Sequence, residues 1–528
     1  MLFSSISFLY FFLPLTLFLY FLVPQKGKNL VLLFVSVLFY AWGEPVYVLL
    51  MLAQIAVSFG LTGLMERYRG QRAAGIFYIL SVLFPFIALF YFKYIAFFAD
   101  ILFQVHIKTP ALPIGISFYT FQIASYCIDV YHQRVPRQKN LIIYAAYVTL
   151  FPQLVAGPIV RYREIEKTLT DGIDFSEIHI NFEKGIVRFV TGLGKKVLIA
   201  NVLGAFVSEV AALGTRTVGL SWAYAIAIAL QIYFDFSGYS DMAIGLGELF
   251  GFQFPENFRH PFIAKSVREF WRRWHITLGA WFRDYVYIPM GGNRVGALRW
   301  MLNILVVWLF TGLWHGAGWN FIVWGLLFAV LLVIEKGVRS ICICRKRVTV
   351  QQVCASTALT VRKRSGNRNK SICEANFVWI CDRNCEGTEQ LRKRTDIGHY
   401  VTDIVKHIYV AAVIIISFLI FHNDSLMDAL SDIAALVNRG NRIASDGATF
   451  QVCAYLLRNR MGILLIGLFG ATPAPLWIWK RLETSLEKHR FGDVTVHLLQ
   501  AAFAVGILVL CTAYLIDGSF NPFLYFRF

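Results

Sequence analysis

The sequence predicts an all-α protein that crosses a membrane many times. Of its 528 residues, 57% are hydrophobic and 16% aromatic, while 16% are charged; soluble domains carry about 25% charged residues. Apolar runs close to the ~20 residues that span a bilayer as helix recur from one end of the chain to the other. Because they recur rather than cluster, the chain is polytopic and not a soluble domain with one anchor.

The runs lie near 5–23, 29–42, 46–64, 76–92, 112–130, 141–156, 185–212, 219–234, 301–334, 408–421, 461–479 and 496–516. Several are short or interrupted, which sets the expected number of spans at roughly 10 to 13. No Lys or Arg precedes Lys26, whereas a signal peptide wants a positive start and a small-residue cleavage site. The first run is therefore expected to be a retained span. Lys26 and Lys28, then Arg67, Arg69 and Arg72, should be cytoplasmic by the positive-inside rule. The short "AWGEP" between them suits the outer side, which puts the N-terminus outside. Net charge is +18. Nucleic-acid binding would need a basic stripe on a folded soluble module; here the positive charge sits in loops between spans, which topology explains.

Four stretches combine polar groups with apolar surroundings. "ALQIYFDFSGYSDMAIG" holds Gln231, Asp235, Ser237, Tyr239, Ser240 and Asp241. It suggests a polar cavity or hydrogen bonds between helices, and a structural network is the plainer reading than catalysis by either Asp. In "NFRHPF", the proline after His260 marks a turn, and His260 reads as a loop residue rather than a ligand. In "SVREFWRRWHITLGAWFRDYVYIPMGGNR", Trp271, Trp274, Leu278 and Trp281 recur with helical spacing as an aromatic stripe, with His275 on or beside it. The charge between 268 and 284 is too dense for a span, so an amphipathic helix in the interface is expected. Its arginines, Arg268, Arg272, Arg273 and Arg283, could meet lipid headgroups or grip the phosphates of a large anionic cofactor from the cytoplasmic side.

The fourth stretch is "FTGLWHGAGWNFIVWG", whose one ionisable side chain is His315. An intramembrane imidazole is costly unless it has a partner or a task. The apolar run from Met301 to Ile334 is too long for one span and too short for two of ~20 residues. Gly312, Gly316 and Gly318 are therefore expected to let the chain bend at membrane depth, where irregular backbone survives only against protein or a wet cavity. His315 would face that cavity; a satisfied histidine at a span's edge is the plainer alternative.

The chain divides into a membrane body at 1–335, an anomalous basic segment at 338–405, and C-terminal spans at 406–528. The middle segment has no helical or strand period. It holds six of the nine cysteines, at 342, 344, 354, 373, 381 and 385. Their spacings match no usual zinc pattern, and a cytoplasmic loop keeps thiols reduced, so free cysteines and no metal site are expected. The segment reads either as an anionic-lipid-binding or regulatory loop or as a stretch out of its natural frame. The abrupt return of apolar patterning at "HIYVAAVIIISFLIF" favours the second.

Taken together, "LFYAWGEP", "PIGISFYTFQ", "LVAGPIVRY", "FDFSGYSDMAIG", "FWRRWHITLGAWFRDYVYIPMGGNR" and "FTGLWHGAGWNFIVWG" resemble the membrane-bound O-acyltransferases. The likeness is nearest to the bacterial branch that O-acetylates polysaccharides such as alginate. It covers about 1–335 and resumes near 407; the segment 338–405 departs from it. The resemblance implies a multi-helix body with interfacial and re-entrant helices around an acyl-transfer tunnel, in the bacterial inner membrane. It puts the family's essential histidine on His315 and its second characteristic histidine on His275. It also implies acetyl-CoA as donor, with Arg272, Arg273, Trp274 and Arg283 the residues expected to bind it. The acetyl group would then cross the membrane to an exported polysaccharide, often through a periplasmic SGNH-type partner. Imidazole can act near neutral pH as a base or as an acyl carrier, and no G-x-S-x-G elbow supplies a serine nucleophile. A transporter without chemistry would use the same polar groups, but no repeated halves with paired broken segments are visible. A structural scaffold for an export complex is the third reading.

Overall fold

A computed structural model describes residues 2–108, 111–172, 178–364, 396–439, 447–489 and 491–517, with side chains omitted at 178–181 and 342–400. Among these residues the fold is helical, with no β-strand. The first layer holds α1 (Leu13–Leu22), α2 (Lys28–Gly43), α3 (Tyr47–Arg67), α4 (Arg72–Lys93) and α5 (Ile95–Phe103). Then come α6 (Ile116–Tyr131), α7 (Leu141–Thr149), α8 (Phe151–Leu154), α9 (Tyr162–Asp171), α10 (Ile178–Gly194), α11 (Asn201–Ala211) and α12 (Val218–Leu249). Two short helices, α13 (Val267–Arg273) and α14 (Ile276–Phe282), precede a long pair, α15 (Ala297–His315) and α16 (Trp319–Arg364). The chain closes with α17 (Asp396–His422), α18 (Leu426–Leu436), α19 (Gly447–Gly470), α20 (Ala474–Leu486) and α21 (Gly492–Asp517).

Nine helical stretches among the described residues are long and apolar enough to cross a membrane. They are α3, α4, Phe182–Ala211, α12, α15, Trp319–Ile341, Val401–His422, α19 and α21. The chain is a multi-pass membrane protein. The runs expected at 112–130 and 141–156 fold into shorter pieces, α6 to α8. Tyr119, Tyr126, Tyr144 and Tyr147 on them are fully buried, so these helices sit inside protein and need not match the bilayer thickness.

The central packing unit is α10 against α12. Gly192 meets Gly238 and Gly185 meets Gly245, so closely that a Cβ on Gly192 would lie 2.5 Å from the Gly238 carbonyl and one on Gly245 2.6 Å from that of Gly185. Small residues let two backbones approach like this in a membrane, where tight van der Waals packing drives association. A π-helical turn, Lys195–Ala200, follows α10 and carries two cations toward α12. Lys196 pairs with Asp235 at 2.5 Å and Lys195 with Asp241 at 2.5 Å. Arg188 joins them, 3.0 Å from Asp241 and 2.7 Å from Glu256. The plainer expectation for the two aspartates, a structural network, is what the structure contains.

The bent single run expected around Gly312 is instead a hairpin of two helices. Helix α15 begins at Ala297, before the apolar run does, because Trp300 is already buried and Leu298 faces outward. The turn is short, from Gly316 to Gly318, and α15 and α16 then pack backbone to backbone. A Cβ on Gly312 would collide with the Phe321 carbonyl, and one on Gly325 with the Trp308 carbonyl. After Ile341 the chain stays helical to Arg364, although 338–405 has no helical period. The six cysteines between 342 and 385 lie outside the described side chains; Cys127, Cys453 and Cys511 are free and buried.

Candidate functional site

The stretch expected to be one amphipathic helix is broken in two. Ser266 caps α13, its hydroxyl accepting from the Glu269 N–H at 3.0 Å. Glu335 of α16 accepts from the N–H groups of Val267 and Arg268 at 2.7 and 3.1 Å. The helix stops at Arg273, because Trp274 is extended and His275 adopts φ +44°, a left-handed conformation. The freed backbone groups are taken up by the loop before it: Arg259 N–H donates to the Arg273 carbonyl and Ile276 N–H to the Asn257 carbonyl. A non-glycine residue at positive φ is uncommon and costs roughly 1–3 kcal/mol unless its surroundings impose it. Here the Asn257 loop does.

Asn257 also sets the imidazole of His275. Its amide oxygen accepts from His275 Nδ1 at 3.1 Å, from the Thr277 hydroxyl at 2.9 Å and from the Thr277 N–H at 3.4 Å. Its amide nitrogen donates to the Ser240 hydroxyl at 3.0 Å. A backbone N–H can only donate, so the amide oxygen faces His275 and Nδ1 carries the proton. In the neutral ring, Nε2 is then a bare lone pair, and it is buried without a protein partner.

His315, the last residue of α15, is buried in an aromatic box. Its ring lies 5.0 Å from Trp314, 5.1 Å from Trp324 and 5.1 Å from Phe421, edge to face in each case. The Trp314 ring also lies 5.7 Å from that of His275. The two histidines, forty residues apart in sequence, thus share one tryptophan. The indole N–H of Trp324, beside His315, is buried with no partner among the described residues. Behind the box, Lys93 Nζ donates to the carbonyls of Trp314 and His315 at 2.6 and 3.2 Å, and the Tyr94 hydroxyl donates to that of Leu313 at 2.7 Å.

The four residues expected to meet a donor are not gathered in one place. Trp274 is buried among Phe258, Phe270 and Phe418, with ring centroids 5.0, 5.5 and 5.1 Å away, and so belongs to the core. Arg273 is committed to Glu269 at 2.8 Å and to the Arg259 carbonyl. Arg283 lies beyond α14 and pairs with Asp284 at 2.7 Å. Burial would push the Asp284 carboxyl up, but Arg283 and Arg161 hold it below the usual carboxylate range. Arg272 is exposed and stands near two further cations: partial burial, then Arg272 and Arg339, lower the Arg268 guanidinium from its ordinary value. Lys336 caps this end, its ammonium 3.3 Å from the Trp300 ring centre. His260 is a turn residue at φ +45°, as its proline neighbour implies. Among the described residues, no group of three or more His, Cys, Asp or Glu side chains is arranged to hold a metal ion.

Asn257, Lys93, Tyr94 and Trp324 are the site neighbours that sequence reasoning passes over. Asn257 leaves a faint signal as a lone amide beside the "FRHP" turn. Lys93 leaves a better one, a single cation closing a long apolar run in "LFYFKY".

Residues 131–343 match the profile of the membrane-bound O-acyltransferase family. The chain is 44% identical over 351 residues to a probable alginate O-acetylase of Azotobacter vinelandii, covering 64% of this chain and 69% of that protein. The protein of the same name in Pseudomonas aeruginosa is 44% identical over 348 residues, covering 64% and 66% of the two chains. A peptidoglycan O-acetyltransferase of Helicobacter pylori is 34% identical over 371 residues, covering 64% and 70%. The chain thus spans about two thirds of the length of these relatives.

Proposed function

This chain belongs to the membrane-bound O-acyltransferase family, and from that premise we propose that it moves acetyl groups from cytoplasmic acetyl-CoA across the bacterial inner membrane for O-acetylation of an exported polysaccharide. Alginate is the acceptor favoured by the names of the relatives in Azotobacter vinelandii and Pseudomonas aeruginosa. The observation that carries the chemistry is the pairing of His315 and His275 around Trp314 in a buried, aromatic-walled site. Acetyl transfer to a hydroxyl needs a base to take the hydroxyl proton or a nucleophile to hold the acyl group. A neutral imidazole performs either task. His315 is the residue assigned to it. His275, with its proton held on Nδ1 by Asn257, would keep Nε2 as an available lone pair, and the Trp324 N–H would be a donor for a developing negative oxygen.

The donor's phosphates would be gripped at the opposite end of α15. Arg268 lies there near Arg272 and Lys336, and the Lys336 ammonium meets the Trp300 ring. At 1.5 Å per residue, Trp300 and His315 are about 22 Å apart along the helix axis. A donor carrying its thioester on a long flexible arm, as coenzyme A does, suits that separation. Arg273 and Arg283 hold α13 and Asp284 instead. On the outer side the acetyl group would pass to a periplasmic SGNH-type partner that acetylates the exported polysaccharide. The segment 338–405 would be an insert between the acyl-transfer body at 1–335 and the spans at 406–528.

Purified protein in vesicles with labelled acetyl-CoA tests this reading. His315→Gln keeps a hydrogen-bonding side chain but cannot take up a proton, and loss of a general base typically costs about 100- to 10,000-fold. Transfer in that variant should fall by at least about 100-fold at normal protein level, while Arg272→Ala should raise the donor KM with kcat little changed. A transporter or a scaffold predicts no transfer by the wild type, and near-normal transfer by His315→Gln would reject His315.

A further inference from the structure

A helix leaves its last four carbonyls without intrahelical donors, and the end of α15 accounts for all four. Gly312 receives the Gly316 N–H at 3.4 Å. Leu313 receives the Tyr94 hydroxyl at 2.7 Å. Trp314 and His315 both receive Lys93 Nζ, at 2.6 and 3.2 Å. Two consecutive residues at the junction of α4 and α5 thus cap the helix that ends in His315, from more than two hundred positions earlier in the chain. The cap is also electrostatically matched, because a helix C-terminus carries partial negative charge and favours a cation. Among the described residues, the His315 ring meets the aromatic rings of Trp314, Trp324 and Phe421, while Lys93 holds its backbone carbonyl. Its position is therefore set through its backbone.

We propose that Lys93 is a positioning residue for the acyl transfer, holding the His315 backbone, and with it the imidazole, at the depth and angle where donor and acceptor meet. The inference rests on the assignment of His315 made above. A helix end released from its cap frays by one turn, and His315 occupies that turn. Misplacement of a catalytic group by about 1 Å can cost about 100-fold, and that loss falls on kcat. Donor binding at the far end of α15 would be untouched.

Lys93→Met keeps the apolar stem and removes the ammonium. Assayed beside His315→Gln, and normalised to folded protein by detergent gel filtration, it should lose about 100-fold in kcat with the acetyl-CoA KM within about twofold of wild type. Lys93→Arg, which retains a cationic donor, should recover at least about a tenth of the rate. If Lys93→Met does not accumulate folded, Lys93→Gln replaces it, with a smaller kcat loss expected at unchanged KM. Wild-type kcat per folded molecule, or a matching rise in KM, overturns the proposal, while an inactive His315→Gln in the same assay leaves the function standing. An active His315→Gln would bring down both.

Discussion

Asn257 concentrates more of the site's order than any other single side chain. It touches His275, Thr277 and Ser240, and its backbone carbonyl receives Ile276. Because it is fully buried, its removal strands several polar groups at once, each at about 1–3 kcal/mol. Asn257→Ala is therefore expected to lower the detergent melting temperature by several degrees and to cut transfer activity as deeply as His275→Ala. Activity lost in His275→Ala but kept in Asn257→Ala would show that the tautomer needs no holder. At this scale the sequence singles out His315 and His275, since intramembrane imidazoles among glycines and tryptophans stand out chemically, and the structure places both in buried surroundings that share Trp314. Asn257 was not readable, because its partners lie 17 to 20 residues away across a turn whose path only the fold reveals. Trp274, expected among the donor-binding residues, packs against Phe258, Phe270 and Phe418 beside the break at His275.

The hairpin of α15 and α16 depends on glycine where the two backbones touch. Gly312→Ala drives a methyl into the Phe321 carbonyl, and backbone cannot yield as a side-chain tip can. It should sharply reduce the folded fraction recovered by gel filtration. Gly279→Ala in α14 meets open space and should be neutral or slightly stabilising, by about 0.5–1 kcal/mol, because alanine favours helix over glycine. Equal behaviour of the two variants would refute the close-contact account. Helix existence was legible from the apolar runs, and helix ends were not. The run starting at Met301 hid the start of α15 at Ala297, since Arg299 interrupts the apolar pattern without interrupting the helix. The aromatic spacing at 271–281 likewise concealed the break, because backbone hydrogen bonds to 257–259 outweigh a periodic side-chain stripe.

For the whole molecule, the orientation expected from the basic loops has consequences for both ends of α15. If Arg67 to Arg72 are cytoplasmic, α4 rises to the outer half at Lys93, and α15 rises with it to His315. Arg268, Arg272 and Lys336 then sit on the cytoplasmic side. Single cysteines placed at 67–72 in a cysteine-depleted chain should react with impermeant maleimide only after cells are opened. Labelling of intact cells would invert the orientation and put the donor site on the wrong face. The family and the multi-pass class were legible from the sequence because long motifs and hydropathy survive without coordinates. The cations at the two ends of α15 were not, because they come from α4, α13 and α16.

The packing of α10 on α12 has a consequence for how the protein is made. Phe182–Ala211 carries Lys195 and Lys196, and Val218–Leu249 carries Asp235 and Asp241. Each charge near the centre of a lone helix opposes its release from the translocon by about 2.5–3.5 kcal/mol. Neither segment is a comfortable lodger in lipid by itself, yet together they neutralise one another across a glycine-lined seam. The first should linger at the insertion machinery until the ribosome has delivered the second, and the two should leave as a prefabricated pair around which later segments gather. A charge reversal at Asp235 would then be felt during synthesis, before any acyl group has been moved.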